Sequence, residues 1–272
     1  VFTRAIVRPP APNFAEGLTT VDLGAPDYER ALAQHEAYCL ALEQCGLTLV
    51  RLEADPLHPD STFVEDTAVL TPRGAILTRP GAPSRAGEVT SIKTVLADFY
   101  PDASSISSPG TLDGGDICEG DDHFFIGISE RTNEAGAQEL AEMLASFNYT
   151  SSFVDIRGLI GRQSVPRAVA TGSASDGILH LKSGLAYLGD GRLAVIDILA
   201  SREEFADYEL VRVHAGEEYA ANCVRINDHV LVAAGYPAWE GKLRELGYQT
   251  LALEMGEFQK MDGGLSCLSL RF

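Results

Sequence analysis

One unit recurs along the chain and limits the folds open to it: strand, tight turn, strand, helix, strand. The first copy runs through residues 62–70, turns at Pro72-Arg73-Gly74 and returns over 75–78. A helix with Val89, Ile92, Leu96 and Phe99 on one face follows, and 104–107 closes the copy. The second spans 112–118, a turn at Gly120-Asp121-Asp122, 124–128, a helix with Leu140, Leu144 and Phe147, and 152–156. In the third, 178–187 and 193–196 flank Gly189-Asp190-Gly191, and Ser201 with Glu204 reads as a capping box opening a short helix before 210–213. The fourth pairs 222–226 with 230–233, then a helix from Pro237 to Gly247 and a strand over 250–253. The fifth is split. Residues 264–270 lack a following strand, while 2–8, the 27–46 helix and 47–52 supply the rest of the unit. Five copies at roughly 40–70-residue spacing predict a radial α/β array, not a doubly wound sheet. Pairing the two terminal strands would bury its last edge. No linker-like tract interrupts residues 1–272, so they read as one catalytic domain. The polar, glycine-bearing interval 157–177 has no period and reads as an inserted loop.

Charge and cysteine usage narrow the function. A net charge of −18 argues against nucleic-acid or anionic-membrane partners and suits a cationic ligand. No stretch approaches the roughly 18 apolar residues of a membrane span, and the first residues read as a strand instead of a signal peptide. Five cysteines, with no Cys-x-x-Cys, predict reduced thiols and a cytoplasmic protein. No zinc motif, dinucleotide loop or phosphate loop is present, so neither a metal nor a cofactor is expected.

The chemistry gathers at one position in the repeat. The first strands open with Glu65 and Asp66, Asp113, His180, Asn222, and then Asp262 with Cys267. If those strands line a common axis, carboxylates, an imidazole and a thiol converge there. Taken singly, each has a structural explanation. Cys267 could be a small core residue, His180 a satisfied core histidine, and Asp113 an Asx turn before Gly-Gly. Glu65-Asp66 is harder to explain so, because adjacent acids in an apolar strand face opposite sides and one needs a cationic partner.

Six ordered motifs then carry a resemblance. They are Phe63-Val64-Glu65-Asp66-Thr67, Leu112-Asp113-Gly114-Gly115-Asp116, Ser129-Glu130-Arg131-Thr132-Asn133, Leu179-His180-Leu181-Lys182-Ser183, Ala220-Ala221-Asn222-Cys223 and Asp262-Gly263-Gly264-Leu265-Ser266-Cys267. Together with Gly17-Leu18-Thr19-Thr20 and Arg79-Pro80-Gly81-Ala82, they resemble the dimethylarginine dimethylaminohydrolases of the guanidine-modifying superfamily. The resemblance implies a five-bladed α/β-propeller that hydrolyses asymmetric dimethylarginine or monomethylarginine to citrulline and the methylated amine. It implies Cys267 as nucleophile through a covalent thiouronium intermediate, His180 as acid and then base, and Asp113 as the carboxylate that holds His180 and the guanidinium in place. It places Glu65 and Asp66 on the guanidinium and Arg85 and Arg131 on the α-carboxylate. Leu18, Asp60, Phe63, Met261 and Asp262 fall at the remaining substrate positions. The interval 157–177 is longer than the compact family pattern. A homodimer is compatible with the sequence. Two alternatives stay open: another guanidine-modifying enzyme such as arginine deiminase, for whose extra helical domain 272 residues leave little room, or a catalytically silent arginine-binding module.

Overall fold

Parallel strands need a crossover and antiparallel neighbours need only a turn, so the repeat predicts sheets in which a hairpin is extended by one parallel strand. The computed structural model of the chain describes residues 1–159 and 178–272, and there five such three-stranded sheets form. In chain order the elements begin with β1 (Arg4–Val7), α1 (Tyr28–Gln44) and β2 (Thr48–Arg51). Next come β3 (Ala68–Thr71), β4 (Gly74–Leu77), α2 (Glu88–Leu96) and β5 (Ser104–Ser105). The second repeat holds β6 (Ile117–Gly120), β7 (His123–Ile128), α3 (Glu134–Ser146) and β8 (Thr150–Asp155). The third holds β9 (Leu185–Gly189), β10 (Arg192–Val195) and β11 (Glu209–Arg212). The fourth holds β12 (Val224–Ile226), β13 (His229–Ala233), α4 (Pro237–Glu245) and β14 (Gln249–Leu253), followed by α5 (Gly256–Gln259) and β15 (Leu270–Arg271).

The fifth sheet is assembled from both ends of the chain. Ala5 and Ile6 of β1 stand opposite Arg271 and Leu270 of β15 in antiparallel register, and β1 runs parallel to β2 across α1. The result is the expected five-bladed propeller. Local chemistry sets its joints. Asp27 caps α1 by accepting from the Arg30 N–H at 2.9 Å, and Asn133 caps α3 through the Gly136 N–H at 2.8 Å. Pro237 opens α4, and Gly247 follows it in the left-handed region at φ +91°. Asp121, Asp190 and Asn227 occupy left-handed positions at three hairpin tips, where short polar side chains are tolerated.

Several sequence expectations change. In every repeat the first strand is shorter than its apolar run suggests, because a 3-10 turn precedes it. Residues 62–67 and 264–269 are therefore turn, not strand. The third repeat has a 3-10 turn, Glu203–Phe205, in place of its helix. Its N-cap is Arg202 with no side-chain bond, so the Ser201–Glu204 capping box does not form. Within the 157–177 interval, residues 157–159 form a turn, and the loop expectation for 160–177 lies outside the described residues.

Apolar mass collects between blades. One cluster joins the second, third and fourth blades around Phe125, Phe205 and Trp239. Another joins the fourth and fifth through Tyr38, Leu231 and Phe258. A cavity of about 960 Å³ opens on the axis, lined by apolar residues such as Val69, Ile117 and Leu185 together with Glu65, Glu119, Lys182 and Arg271. A separate groove of about 500 Å³ along β11 and α4 holds none of the candidate site residues. Among the described residues no helix is long and apolar enough to cross a membrane.

Candidate active site

Five 3-10 turns, one ahead of each first strand, form a ring: Val64–Thr67, Gly114–Asp116, Leu181–Ser183, Glu218–Ala221 and Ser266–Leu268. Side chains tie each turn to the next. The Gly115 N–H donates to Asp66 Oδ1 at 2.8 Å, and the Leu181 N–H donates to Asp116 Oδ1 at 2.9 Å. Asn222, just past the fourth turn, donates to the Lys182 carbonyl at 3.0 Å and accepts from the Ser266 N–H at 2.9 Å. Ser266 closes the ring by donating its hydroxyl to Glu65 Oε2 at 2.7 Å.

The ring brings the predicted chemical groups together. His180 Nε2 lies 3.1 Å from Asp113 Oδ2, and the other Asp113 oxygen accepts from the Gly81 N–H at 2.8 Å. A Cβ on Gly115 would stand 2.7 Å from His180 Nδ1 and 2.9 Å from Asp66 Oδ1, so only glycine permits this approach. Cys267 is partly exposed, and its sulfur accepts from the Gly264 N–H at 3.4 Å. Burial pushes the thiol up to about 12, reinforced by the carboxylates of Glu65 and Asp66. Burial alone would lower His180, but Asp66, Asp116 and Asp113 outweigh it and raise the imidazole to about 9. Burial works to raise Asp113, yet its bond to His180 and the nearby Arg85 leave it below the usual carboxylate range. Near neutral pH the pair is therefore imidazolium–carboxylate, and Cys267 is a thiol.

Two acidic neighbours are used differently. Asp66 Oδ2 accepts from Arg85 at 2.5 Å. Glu65 Oε1 pairs with Lys182 at 2.6 Å and with Arg271 at 3.0 Å, on the side of the axial cavity. A 3-10 turn sends neighbouring side chains in different directions, so Glu65 and Asp66 meet different partners, and both oxygens of each carboxylate are engaged. Arg85 also differs from a free carboxylate ligand. Its Nε and Nη2 bond Glu88, Nη2 reaches the Phe63 carbonyl at 3.1 Å, and Nη1 holds Asp66, leaving one N–H of five.

Asp60 Oδ1 accepts from the Leu18 N–H at 2.9 Å, and burial raises its carboxyl against the opposing charges of Arg85 and Arg131. Leu18 is exposed and Met261 is buried. Asp262, at φ +57°, accepts from the Thr20 N–H at 2.5 Å and the Thr20 hydroxyl at 3.1 Å, so it holds the Leu18 loop. The Phe63 ring packs on Phe14 and Phe258, with its carbonyl facing Arg85. The Arg131 backbone is held by Ser129 Oγ at 3.0 Å, and its guanidinium pairs with no acid among the described residues. One ligand atom each from Asp66, Asp113 and His180 lies within 4.8 Å of the others, close enough for a metal, but the bonds above already satisfy these atoms. Sequence reading assigned no role to Lys182, Asp116 or Arg271. The first two lie inside quoted motifs, whereas nothing in sequence marks Arg271 as the partner of a residue 206 positions away.

A five-bladed α/β-propeller with a thiol, an imidazole and carboxylates at its axis defines the class of guanidine-modifying enzymes. A family model described as arginine deiminase matches residues 28–157. The chain is 40% identical over 273 residues to the N(G),N(G)-dimethylarginine dimethylaminohydrolase of Pseudomonas aeruginosa, covering 100% of both. It is 34% identical to the enzyme of the same name from Streptomyces coelicolor, covering 98% of this chain and 96% of that one. A solved structure of a cysteine-to-serine mutant of the Pseudomonas aeruginosa protein, complexed with citrulline, matches with TM-score 0.90 at 40% identity, covering 100% of both chains. A histidine-to-glycine variant, as an adduct with S-methyl-L-thiocitrulline, matches equally at TM-score 0.90. The chain belongs to the dimethylarginine dimethylaminohydrolase family.

Proposed function

We propose that this protein hydrolyses asymmetric dimethylarginine and monomethylarginine to citrulline and the methylated amine, with Cys267, His180 and Asp113 as its chemical groups. The observation that carries this reading is the convergence of a thiol, a protonated imidazole and two carboxylates on one ring of turns, in a chain alike over its full length to a named enzyme of this activity. The protein binds arginine-derived small molecules.

The reaction follows from the charges. A guanidinium is resonance-stabilised and its amine is a poor leaving group, so a covalent route divides the barrier. The arriving cation offsets Asp66 and Asp113, and that charge lets the Cys267 proton leave to solvent, since His180 already holds its own. The thiolate attacks the guanidinium carbon. Imidazolium at His180, already formed, gives its proton to the departing dimethylamine as the C–N bond breaks. The neutral imidazole then takes a proton from water, hydroxide adds to the same carbon, and the C–S bond breaks as the new hydroxyl passes its proton to the departing sulfur, giving citrulline and the Cys267 thiol. Asp66 is the direct guanidinium partner in this scheme, while Glu65 contributes charge from behind a Lys182–Arg271 clamp. Arg131 takes the α-carboxylate, with the one spare N–H of Arg85 beside it.

The same reading makes 1–272 a single catalytic domain, cytoplasmic, needing neither cofactor nor metal, and a homodimer is a compatible assembly. Incubation with asymmetric dimethylarginine and with arginine, quantifying citrulline, dimethylamine and ammonia, is the test. Dimethylamine from the methylated substrate is expected. Ammonia from plain arginine alone would overturn the reading in favour of arginine deimination.

A further inference from the structure

Asp116 is wholly buried and touches no surface a ligand could reach, yet it joins three parts of the candidate site. Its Oδ2 accepts from the Ser129 and Thr132 hydroxyls, each at 2.7 Å, and its Oδ1 accepts from the Leu181 N–H at 2.9 Å. Ser129 Oγ in turn accepts from the Arg131 and Thr132 N–H groups, both at 3.0 Å, and Thr132 Oγ1 accepts from the Asp113 N–H at 3.1 Å. One carboxylate thus fixes the backbone next to His180, the backbone of Asp113 and the backbone of Arg131. Room is reserved for it: a Cβ on Gly127 of β7 would stand 3.0 Å from Asp116 Oδ1 and 2.9 Å from the Leu181 Cβ.

We propose that Asp116 is a positioning residue for the reaction, holding the His180 turn, the Asp113 turn and the Arg131 loop in register and placing a buried carboxylate beside His180. The inference rests on the roles of His180 and Arg131 set out above. Burial raises the Asp116 carboxyl and its three hydrogen bonds oppose that, and with three donors on two oxygens and no acceptor opposite, only the ionised form satisfies all three. Both lone pairs of Ser129 Oγ are taken by N–H groups, so its hydroxyl hydrogen must point at Asp116. An asparagine amide turned either way meets a hydrogen with a hydrogen. The charge also acts on His180, which faces Asp66 from the first blade's turn and Asp113 and Asp116 from the second's. Arg85 stands behind Asp66 and Asp113, and Lys182 is spent on Glu65.

Asp116→Asn separates positioning from mere folding. Its expected effect is a fall in kcat of about tenfold or more, a raised KM for dimethylarginine, and a His180 titration midpoint lower by about one pH unit or more, read by NMR of the ring. The alkaline limb of the kcat profile should move down with it. An unchanged His180 titration and unchanged kcat in a variant that only melts earlier would overturn the proposal. The titration needs no turnover, so failure to hydrolyse dimethylarginine would fault the proposed function and leave this test intact. If Asp116→Asn does not fold, Thr132→Val removes one donor and the anchor of the Asp113 N–H. A smaller shift of His180 in the same direction, with a kcat loss of a few fold, is expected, and no movement in either counts against the role.

Discussion

At the scale of single residues, Cys267 differs from the other four cysteines in its place in the fold and not in its resting titration. Cys39, Cys118 and Cys223 are raised to about 12 and Cys45 to about 11, all chiefly by burial, and none falls within the five turns of the ring. Cys267→Ser is predicted to lower turnover by at least ~10³-fold with the fold retained, whereas serine at the other four positions leaves kcat largely unchanged. Full activity of the Cys267 variant in a citrulline assay would remove the nucleophile assignment. Cys267 itself stands at about 12 in the ligand-free site, through burial and the Glu65 and Asp66 charges. Ultraviolet thiolate absorbance should therefore show no Cys267 ionisation near neutral pH until a non-reactive guanidinium is added. A free-enzyme midpoint below neutrality would contradict substrate-assisted activation. Asp66→Asn should weaken methylarginine binding by about 3–5 kcal/mol while changing binding of neutral citrulline little. Calorimetry on the pair decides it, since equal losses would place the charge elsewhere.

At the scale of elements, the repeated 3-10 turn explains why a strand pattern announces the site without drawing it. A strand sends alternate side chains to opposite faces, but a 3-10 turn fans consecutive ones around the axis. Asp66 then meets Gly115 and Arg85 while Glu65 meets Ser266, Lys182 and Arg271. The ring also depends on close backbone approach. Gly115→Ala would drive a methyl into the His180 ring at 2.7 Å, and the ring has Asp113 on its other nitrogen. The expected result is a kcat loss of about 10²-fold with little change in melting temperature, because the displacement is confined to the site. Near-normal kcat in that variant, measured alongside circular dichroism, would show that His180 has freedom this packing denies it.

At the scale of the whole molecule, closure and charge both bear on stability. Removing residues 270–272 deletes β15, the Phe272 carbonyl that accepts from the Thr3 and Arg4 N–H groups at 2.8 Å, and the Arg271 partner of Glu65. Leaving a buried acid short of a cation costs about 3–5 kcal/mol, so denaturant unfolding of the shortened chain should show at least that loss. The His180–Asp113 pair sets a pH window. His180 is raised from 6.5 to about 9 on folding, so its contribution is fully present below 6.5 and is lost as pH rises through 9. Asp113 is lowered, so its contribution holds above the ordinary carboxylate range and fades as acid protonates it in the folded state. Melting temperature against pH should decline on the alkaline side, and His180→Asn should abolish that part of the decline.

The sequence by itself determined the repeat, the closure of its split fifth copy, and the coincidence of polar groups at one point of each unit. Apolar periodicity and turn residues act locally, and α1 with its Asp27 cap or α4 between Pro237 and Gly247 are legible for that reason. The helix expected after Ser201 failed where local pattern is weakest, in a segment too short to gain from a cap. Only the tertiary structure decided which way each acid faces. That choice depends on partners far apart in the chain: Glu65 with Arg271, His180 with Asp113, and Asp116 with Leu181. A buried charge takes the orientation in which its donors are met, and those donors arrive from other blades once the ring has closed.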